Sequence, residues 1–403
     1  MDRPILPLDA KKILEKLNEN GFEAYIVGGC VRDSIMGIEP FDWDIATSAK
    51  PQEVKALFPH TYDTGIDHGT VTVLINRRGY EVTTYRVEGK YEDFRRPKEV
   101  FFTGSLKEDL LRRDFTMNAI AYHPQIGYVD PFEGRADIQR KIIRGVGNPY
   151  ERFGEDALRM LRAVRFSAKL GFEIEEQTWN ALVQTGALIE KISAERIREE
   201  LLKLLTSRYV EKISLLWETG LLSHISKELN GILPKRKQEL ISQLKNAPSQ
   251  KEPRLVILLQ YLTLEEAKQF LHQMKFDTKT MKTILTVLEQ LSFPPALEEY
   301  QIRRQVFAMG VSPFEILLQV KLAAGEKEFE NTKALFLGIQ KRGDCIFTKD
   351  LCLNGGDLIK EGVLKGPEVG KLLGLLLDYV HKNPENNEKG ILLRQLRCIL
   401  GKK

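Results

Sequence analysis

Residues 25–49, YIVGGCVRDSIMGIEPFDWDIATSA, constrain the fold more than any other stretch, because two adjacent glycines follow an apolar run and two aspartates follow one residue apart. The run Tyr25-Ile26-Val27 reads as a short strand, Gly28-Gly29 as a tight turn and VRDSIMG as the start of a helix. Backbone N–H groups left free at such a turn can receive phosphates. If Asp42 and Asp44 lie on an extended strand, both side chains project to one face while Phe41, Trp43 and Ile45 project to the other. Carboxylates held that close repel one another unless a cation lies between them, and an all-oxygen pair suits Mg²⁺ better than a softer metal. Each half also has a plainer reading, a structural turn and a solvated strand edge. Their conjunction, a phosphate seat beside a metal seat, predicts nucleoside triphosphate chemistry.

A chain of 403 residues predicts more than one domain, and 42% hydrophobic with 29% charged residues is ordinary globular composition. No apolar run reaches the roughly 18 residues that span a bilayer, and the opening MDRPILPLDAKK lacks a signal-peptide layout, so the expectation is a cytoplasmic protein with no membrane partner. Cys30, Cys345, Cys352 and Cys398 form no C-x-x-C pair and the six histidines are scattered, which argues against a zinc cage or a disulfide framework. A net charge of +4 permits a polyanionic partner without demanding one.

Residues 10–20 have helical spacing and stop at Gly21; PQEVKALFP reads as a short helix; GTVTVLINRRGYEVTTYR reads as two strands joined by a turn over residues 76–79. The result is a βαββ core in which Glu81, on one strand face with Thr83 and Tyr85, is available as a third carboxylate beside the aspartates. Residues 87–105, dense in charge and interrupted by Pro97, read as a loop. In DLLRRDFTMNAIA, Arg112 and Arg113 can grip phosphate oxygens bidentately, and Asp114 or Asn118 can meet ribose hydroxyls; a surface ion-pair cluster is the alternative.

From Tyr150 the pattern is helical, with Leu158, Leu161, Val164 and Ala168 on a core face and Gly171 as a stop. Asp156 and Arg159 are three residues apart, with Arg162 one turn further. At that spacing they make an ordinary helix ion pair, or they read a base. Cytosine and adenine both present an amino donor beside a ring-nitrogen acceptor, whereas uracil and guanine present an oxygen acceptor beside an N–H donor. An aspartate acceptor beside an arginine donor therefore matches C and A and mismatches U and G. Residues 192–207 read as the end of a helical neck, Thr263-x-x-Glu266 and Ser312-Pro313-x-Glu315 as capping boxes, and FPPA at 293–296 as a boundary.

The succession GG-x-VRD, DWDIAT, RRDFTMNA, DPFEG and Glu155-Asp156-x-x-Arg159 resembles the signature of polymerase-β-like nucleotidyltransferases, specifically the class II tRNA nucleotidyltransferase and bacterial poly(A) polymerase family. The resemblance implies an α+β protein: a polymerase-β-like head with a small mixed sheet and helices at 1–148, then all-α neck (149–207), body (208–295) and tRNA-binding tail (296–403). It implies template-independent addition of C, C and A to tRNA 3′ ends from CTP and ATP, with Mg²⁺ on Asp42 and Asp44 and Glu81 assisting. By the same resemblance Gly28, Gly29, Arg32, Arg112, Arg113, Asp114, Asn118, Asp156, Arg159, Arg162 and Arg165 hold the nucleotide, and Glu155, Asp156 and Arg159 read its base. Asp93, Arg95 and Pro97 belong to a loop needed for the final adenosine, and Lys365 and Lys371 in the tail meet RNA phosphates. The implied partners are tRNA, CTP and ATP, with no obligate protein partner. Competing readings are addition of A alone or of CC alone, a bacterial poly(A) polymerase, which tends to carry a further basic C-terminal region, and a catalytically silent RNA-binding module.

Overall fold

The computed structural model describes residues 4–88, 91–92, 96–97 and 100–401. It contains two compact units, residues 1–234 and 235–403.

The first unit opens with helix α1 (Leu8–Glu19), strand β1 (Ala24–Val27), α2 (Gly29–Ile35), β2 (Asp44–Thr47), α3 (Pro51–Leu57), β3 (Thr61–Gly65), β4 (Thr70–Ile75) and β5 (Arg78–Thr84). Asn76 and Arg77 both adopt left-handed φ values, 50° and 64°, the backbone of a two-residue hairpin turn whose twist matches that of β4 and β5. The chain continues through the short strands β6 (Arg86–Glu88), β7 (Tyr91–Glu92), β8 (Arg96–Pro97) and β9 (Val100–Phe102), then α4 (Leu106–Leu111), β10 (Ala121–His123) and β11 (Gly127–Val129). Seven strands form one sheet in the order β11-β10-β1-β2-β5-β4-β3, in which only β2 and β5 run parallel. The expected βαββ core lies within this sheet, which is wider because β10 pairs antiparallel with β1, Ile26 opposite Tyr122. The charged segment after Tyr85 departs from the loop expectation: β6 pairs with β9 and β7 with β8. In its described residues, local backbone pairing gives order that polarity does not advertise.

Every residue of β1 is buried, as a central strand covered on both faces requires. On one face Tyr25, Val27 and Ala46 pack with Tyr85, Leu106, Leu110 and Val146, so α4 is held against the sheet. Residues 112–118, which follow α4, are thereby carried to the end of β1 and the start of β2.

Next come α5 (Gly134–Arg140), β12 (Ile142–Ile143), α6 (Pro149–Glu155), α7 (Leu158–Leu170), β13 (Glu173–Ile174), α8 (Glu176–Thr185) and α9 (Ala194–Leu205). Asn148 caps α6 by accepting the Tyr150 N–H at 3.1 Å, and Pro149 fills the first helical position. The helical pattern from Tyr150 is not one helix. It breaks at Asp156, whose extended backbone (φ −136°, ψ 100°) separates α6 from α7. Leu158, Leu161, Val164 and Ala168 are buried as expected, and α7 stops at Gly171 with φ 73°.

The second unit is helical from Lys237–Asn246 to Lys389–Ile399. Thr263 and Glu266 form the expected capping box. Ser312 does not cap: its helix already begins at Val311, after Gly310 at φ 93°, so Ser312 and Pro313 lie inside the first turn. Residues 293–296 connect two helices within this unit, with Thr332 donating to the Ala296 carbonyl at 2.9 Å. Among the described residues no single helix is long and apolar enough to cross a membrane.

At Gly171 a Cβ would be strained by the left-handed backbone and would lie 2.9 Å from the Tyr209 ring. Gly171→Ala should lower unfolding free energy by roughly 1–3 kcal/mol, read as a shift in the urea midpoint.

Candidate active site

Val27, the last residue of β1, pairs with Asp44, the first of β2, so the glycine turn and the aspartate meet. Gly28 adopts φ 81°, and its N–H donates to the Ile120 carbonyl at 3.2 Å. That donor is thus already engaged, contrary to the simple picture of a free turn. What requires glycine is close approach: a Cβ on Gly28 would lie 2.9 Å from Arg113 Nη1 and 4.0 Å from Asp44 Oδ2. The side chain of Arg113 fills the space over the turn.

Asp42 is exposed and precedes the ladder rather than sitting on it, but it and Asp44 line one cavity. Burial, then the Glu81 carboxylate, and lastly Asp42 push the Asp44 carboxyl up to about 6, against the pull of Arg113. Glu81 is exposed on β5, the strand beside β2, near enough to act on Asp44 without lining the cavity. Among the described residues no three or more His, Cys, Asp or Glu side chains form a ready metal cage. The donor set that exists, two hard carboxylates of which one is destabilised by burial and like charge, fits a divalent cation that takes its remaining ligands from water and phosphate. Cys30, adjoining Asp44, is not a rival: burial pushes its thiol up to about 12.

The next wall is built by α4 and the residues after it. Asp109, fully buried, accepts from Arg112 at 2.7 Å and Arg113 at 3.2 Å. Burial acts to raise its pKa, but the two guanidiniums outweigh it and the net shift is downward. Asp114 Oδ1 accepts the Phe115 N–H at 2.8 Å and Asn118 Nδ2 at 2.9 Å, while Oδ2 accepts Arg162 Nη2 at 2.6 Å and Nε at 2.8 Å. Here too desolvation opposes ionisation and loses to Arg162 and Asn118, leaving the carboxyl at about 2. Asn118 Oδ1 in turn accepts from Arg32, which also pairs with Asp33 at 2.6 Å.

The neck completes the cavity, and not as an ion pair between Asp156 and Arg159. Asp156 lies in the break between α6 and α7, caps α7 through the Leu158 N–H at 3.1 Å, and takes a bidentate pair from Arg196 of α9 at 2.8 and 3.1 Å. Arg159 donates to Glu155 at 2.8 Å, to the Arg112 carbonyl at 2.7 Å and to the Arg152 carbonyl at 3.2 Å. Arg165 pairs with buried Glu200 of α9.

Gly28, Gly29, Arg32, Asp42, Asp44, Arg112, Arg113, Asp114, Asn118, Asp156, Arg159, Arg162 and Arg165 all line this one cavity of about 670 Å³. Glu155 and Glu81 do not line it. Asp93 and Arg95 fall outside the described residues, Pro97 lies in β8, and Lys365 and Lys371 are exposed in the second unit. Sequence reasoning missed Phe166, Lys169 and Arg196, which also line the cavity. Helical spacing from Arg159 and Arg162 could have found Phe166 and Lys169. Nothing local could have found Arg196, which is 40 residues from its partner.

The depressed Asp114 carboxyl contributes stability that is full above its unfolded value of about 4 and is lost as pH falls toward 2. Asp114→Asn should flatten the acid limb of the stability curve between pH 4 and 2, by on the order of 2 kcal/mol, in urea titrations across that range.

Three family models match the chain: "Poly A polymerase head domain" over residues 24–144, an "RNA and SrmB- binding site of polymerase A" model over 171–233, and "tRNA nucleotidyltransferase domain 2" over 248–396. The chain is 42% identical to the CCA-adding enzyme of Limosilactobacillus fermentum, covering 96% of this chain and 95% of that one. It is 38% identical to the CCA-adding enzyme of Streptococcus mutans, covering 96% of each. Among solved structures, the Bacillus stearothermophilus CCA-adding enzyme in complex with CTP superposes with a TM-score of 0.81 at 35% identity, covering 98% of this chain and 100% of that one.

Proposed function

Because this chain belongs to the CCA-adding enzyme family of tRNA nucleotidyltransferases, we propose that it adds C, C and A to tRNA 3′ ends in the cytoplasm, using CTP and ATP and no nucleic-acid template. The observation that carries this reading is that the carboxylate pair Asp42/Asp44 and the base-reading pair Asp156/Arg159 line the same cavity of about 670 Å³, large enough for one nucleoside triphosphate.

Asp42 and Asp44 would hold Mg²⁺, with Glu81 assisting through its charge. When bound, the metal supplies activation of the primer 3′-hydroxyl and charge relief on the departing pyrophosphate. Arg113, packed over Gly28 and near enough to Asp44 to act on its charge, would meet the phosphates. Arg196 and the Leu158 N–H fix the Asp156 carboxylate, and Glu155 with two carbonyls fixes Arg159, so donor and acceptor are oriented before a base arrives. A carboxylate offers four lone-pair positions and a guanidinium five N–H groups, so base contacts add to these bonds or replace the outermost.

Asp114 already accepts four hydrogen bonds. We therefore assign it to holding Arg162 and to fixing Asn118, through which the ribose is read, rather than to accepting a ribose hydroxyl itself. From the family resemblance we further propose that the segment with Asp93, Arg95 and Pro97 serves the final adenosine, that Lys365 and Lys371 meet RNA phosphates, and that the helical part divides at 207 and 295.

Primers ending before CCA, before CA and before A, each offered CTP or ATP, test the reading and separate full CCA addition from A-only or CC-only activity. Asp42→Ala and Asp44→Ala should each lower extension by at least ~10³-fold with tRNA affinity retained. Extension at the wild-type rate by either variant would refute the metal assignment. Asp156→Ala should raise UTP incorporation relative to CTP by about 5- to 100-fold, because an intact Asp156 confronts the uracil O4 with a second acceptor. A pair that merely stabilises the helix would leave that ratio unchanged.

A further inference from the structure

Phe166 lies on α7 seven residues after Arg159, about two turns or roughly 10 Å along the helix, which leaves room for a ribose and the first phosphate between them. The guanidinium carbons of Arg165, Arg32 and Arg162 stand 3.9, 5.2 and 5.5 Å from its ring centroid. The ring is 5% exposed and is fixed from behind by Phe115, edge-on at a centroid distance of 5.8 Å. Lys169, half-exposed, follows Phe166 by three residues and lies 4.0 Å from Asp33.

Three guanidiniums gathered within reach of one side chain repel each other, and something must hold them. Each has one carboxylate, and each of those carboxylates comes from a different element: Asp33 from α2 for Arg32, Asp114 from beyond α4 for Arg162, Glu200 from α9 for Arg165. Among the described residues the Phe166 ring lies within 5.5 Å of all three guanidinium carbons, and its negative π face attracts cations most strongly where water is excluded.

We propose that Phe166 is a positioning residue for the polyphosphate: its ring sets Arg32, Arg162 and Arg165, with Lys169 beyond them, as a preorganised seat for the outer phosphates of the nucleotide and for the leaving pyrophosphate. The inference rests on the reading of the cavity as a nucleoside triphosphate site, but not on tRNA being the acceptor. A flexible basic cluster would have to be ordered by each incoming nucleotide, whereas these cations are ordered in advance and their ordering cost falls on folding rather than on binding. The seat touches phosphates and leaves base selection to Asp156 and Arg159.

The test measures binding of inorganic pyrophosphate, CTP and UTP by calorimetry without tRNA and in the presence of EDTA, so that failure of tRNA extension and failure of this inference are distinguishable. Phe166→Leu and Phe166→Met keep the apolar bulk and remove the ring; Phe166→Tyr and Phe166→Trp keep the ring. The non-aromatic variants should bind pyrophosphate and CTP about 5- to 30-fold more weakly, with the CTP-to-UTP affinity ratio unchanged and the melting temperature only slightly lowered, and the aromatic variants should recover most of the affinity. Wild-type pyrophosphate affinity in either non-aromatic variant, or equal weakening in all four, would overturn the proposal and leave Phe166 a packing residue.

Discussion

The Asp114 carboxylate is buried, ionised and surrounded by four hydrogen bonds, two of them from Arg162 on a different part of the fold. A buried charge with an incomplete set of partners would be costly, so the residues that satisfy it must stay where they are. Through it the segment after α4, the helix α7 and, by way of Asn118, the helix α2 are held in one arrangement. The cavity exists because these three elements cannot drift apart without stranding a charge.

The same logic repeats around the wall. Arg112 and Arg113 share buried Asp109, Arg165 has buried Glu200, and Arg196 has Asp156. In each case a carboxylate draws one edge of a guanidinium, and the cation still lines the cavity. Such pairs add little net stability, since desolvation offsets most of the attraction. What they provide is geometry: a field of fixed cations that needs no reorganisation when a polyanion enters. In the same cavity the Asp44 carboxyl is raised, because burial, Glu81 and Asp42 together outweigh the pull of Arg113.

Much of this was legible in one dimension. The glycine turn, the DWD segment, the hairpin, whose turn occupies Asn76-Arg77 rather than all of residues 76–79, the buried face of α7 and its stop at Gly171 are all local patterns, governed by φ preferences and by which side chains can leave water. The departures were equally physical. Periodicity ran straight through Asp156, because apolar spacing is blind to a side chain that caps the following helix and so permits a break. Polarity made the segment after Tyr85 read as a loop, because backbone pairing between β6 and β9 costs no apolar residues. Ser312-Pro313 has the composition of a helix start, yet Gly310 opens the helix two residues earlier.

By itself, then, the sequence determined which chemistry was available: hard carboxylates one residue apart, an arginine pair followed by an aspartate, and an acceptor and a donor at Asp156 and Arg159. Residue type decides whether a group can hold a metal, grip a phosphate or distinguish cytosine from uracil, and residue type is written in one dimension. Only the tertiary structure decided the partnerships. Spacing suggested that Asp156 would meet Arg159, but Arg196 takes it, and Arg159 turns to Glu155. Gly28 looked like a donor of N–H groups, but the Ile120 carbonyl engages it and the side chain of Arg113 occupies the space above. The reason is that hydrogen bonds and ion pairs act over a few ångströms in space, and residues as far apart as Asp156 and Arg196, or Gly28 and Ile120, reach that range only after the apolar faces have packed.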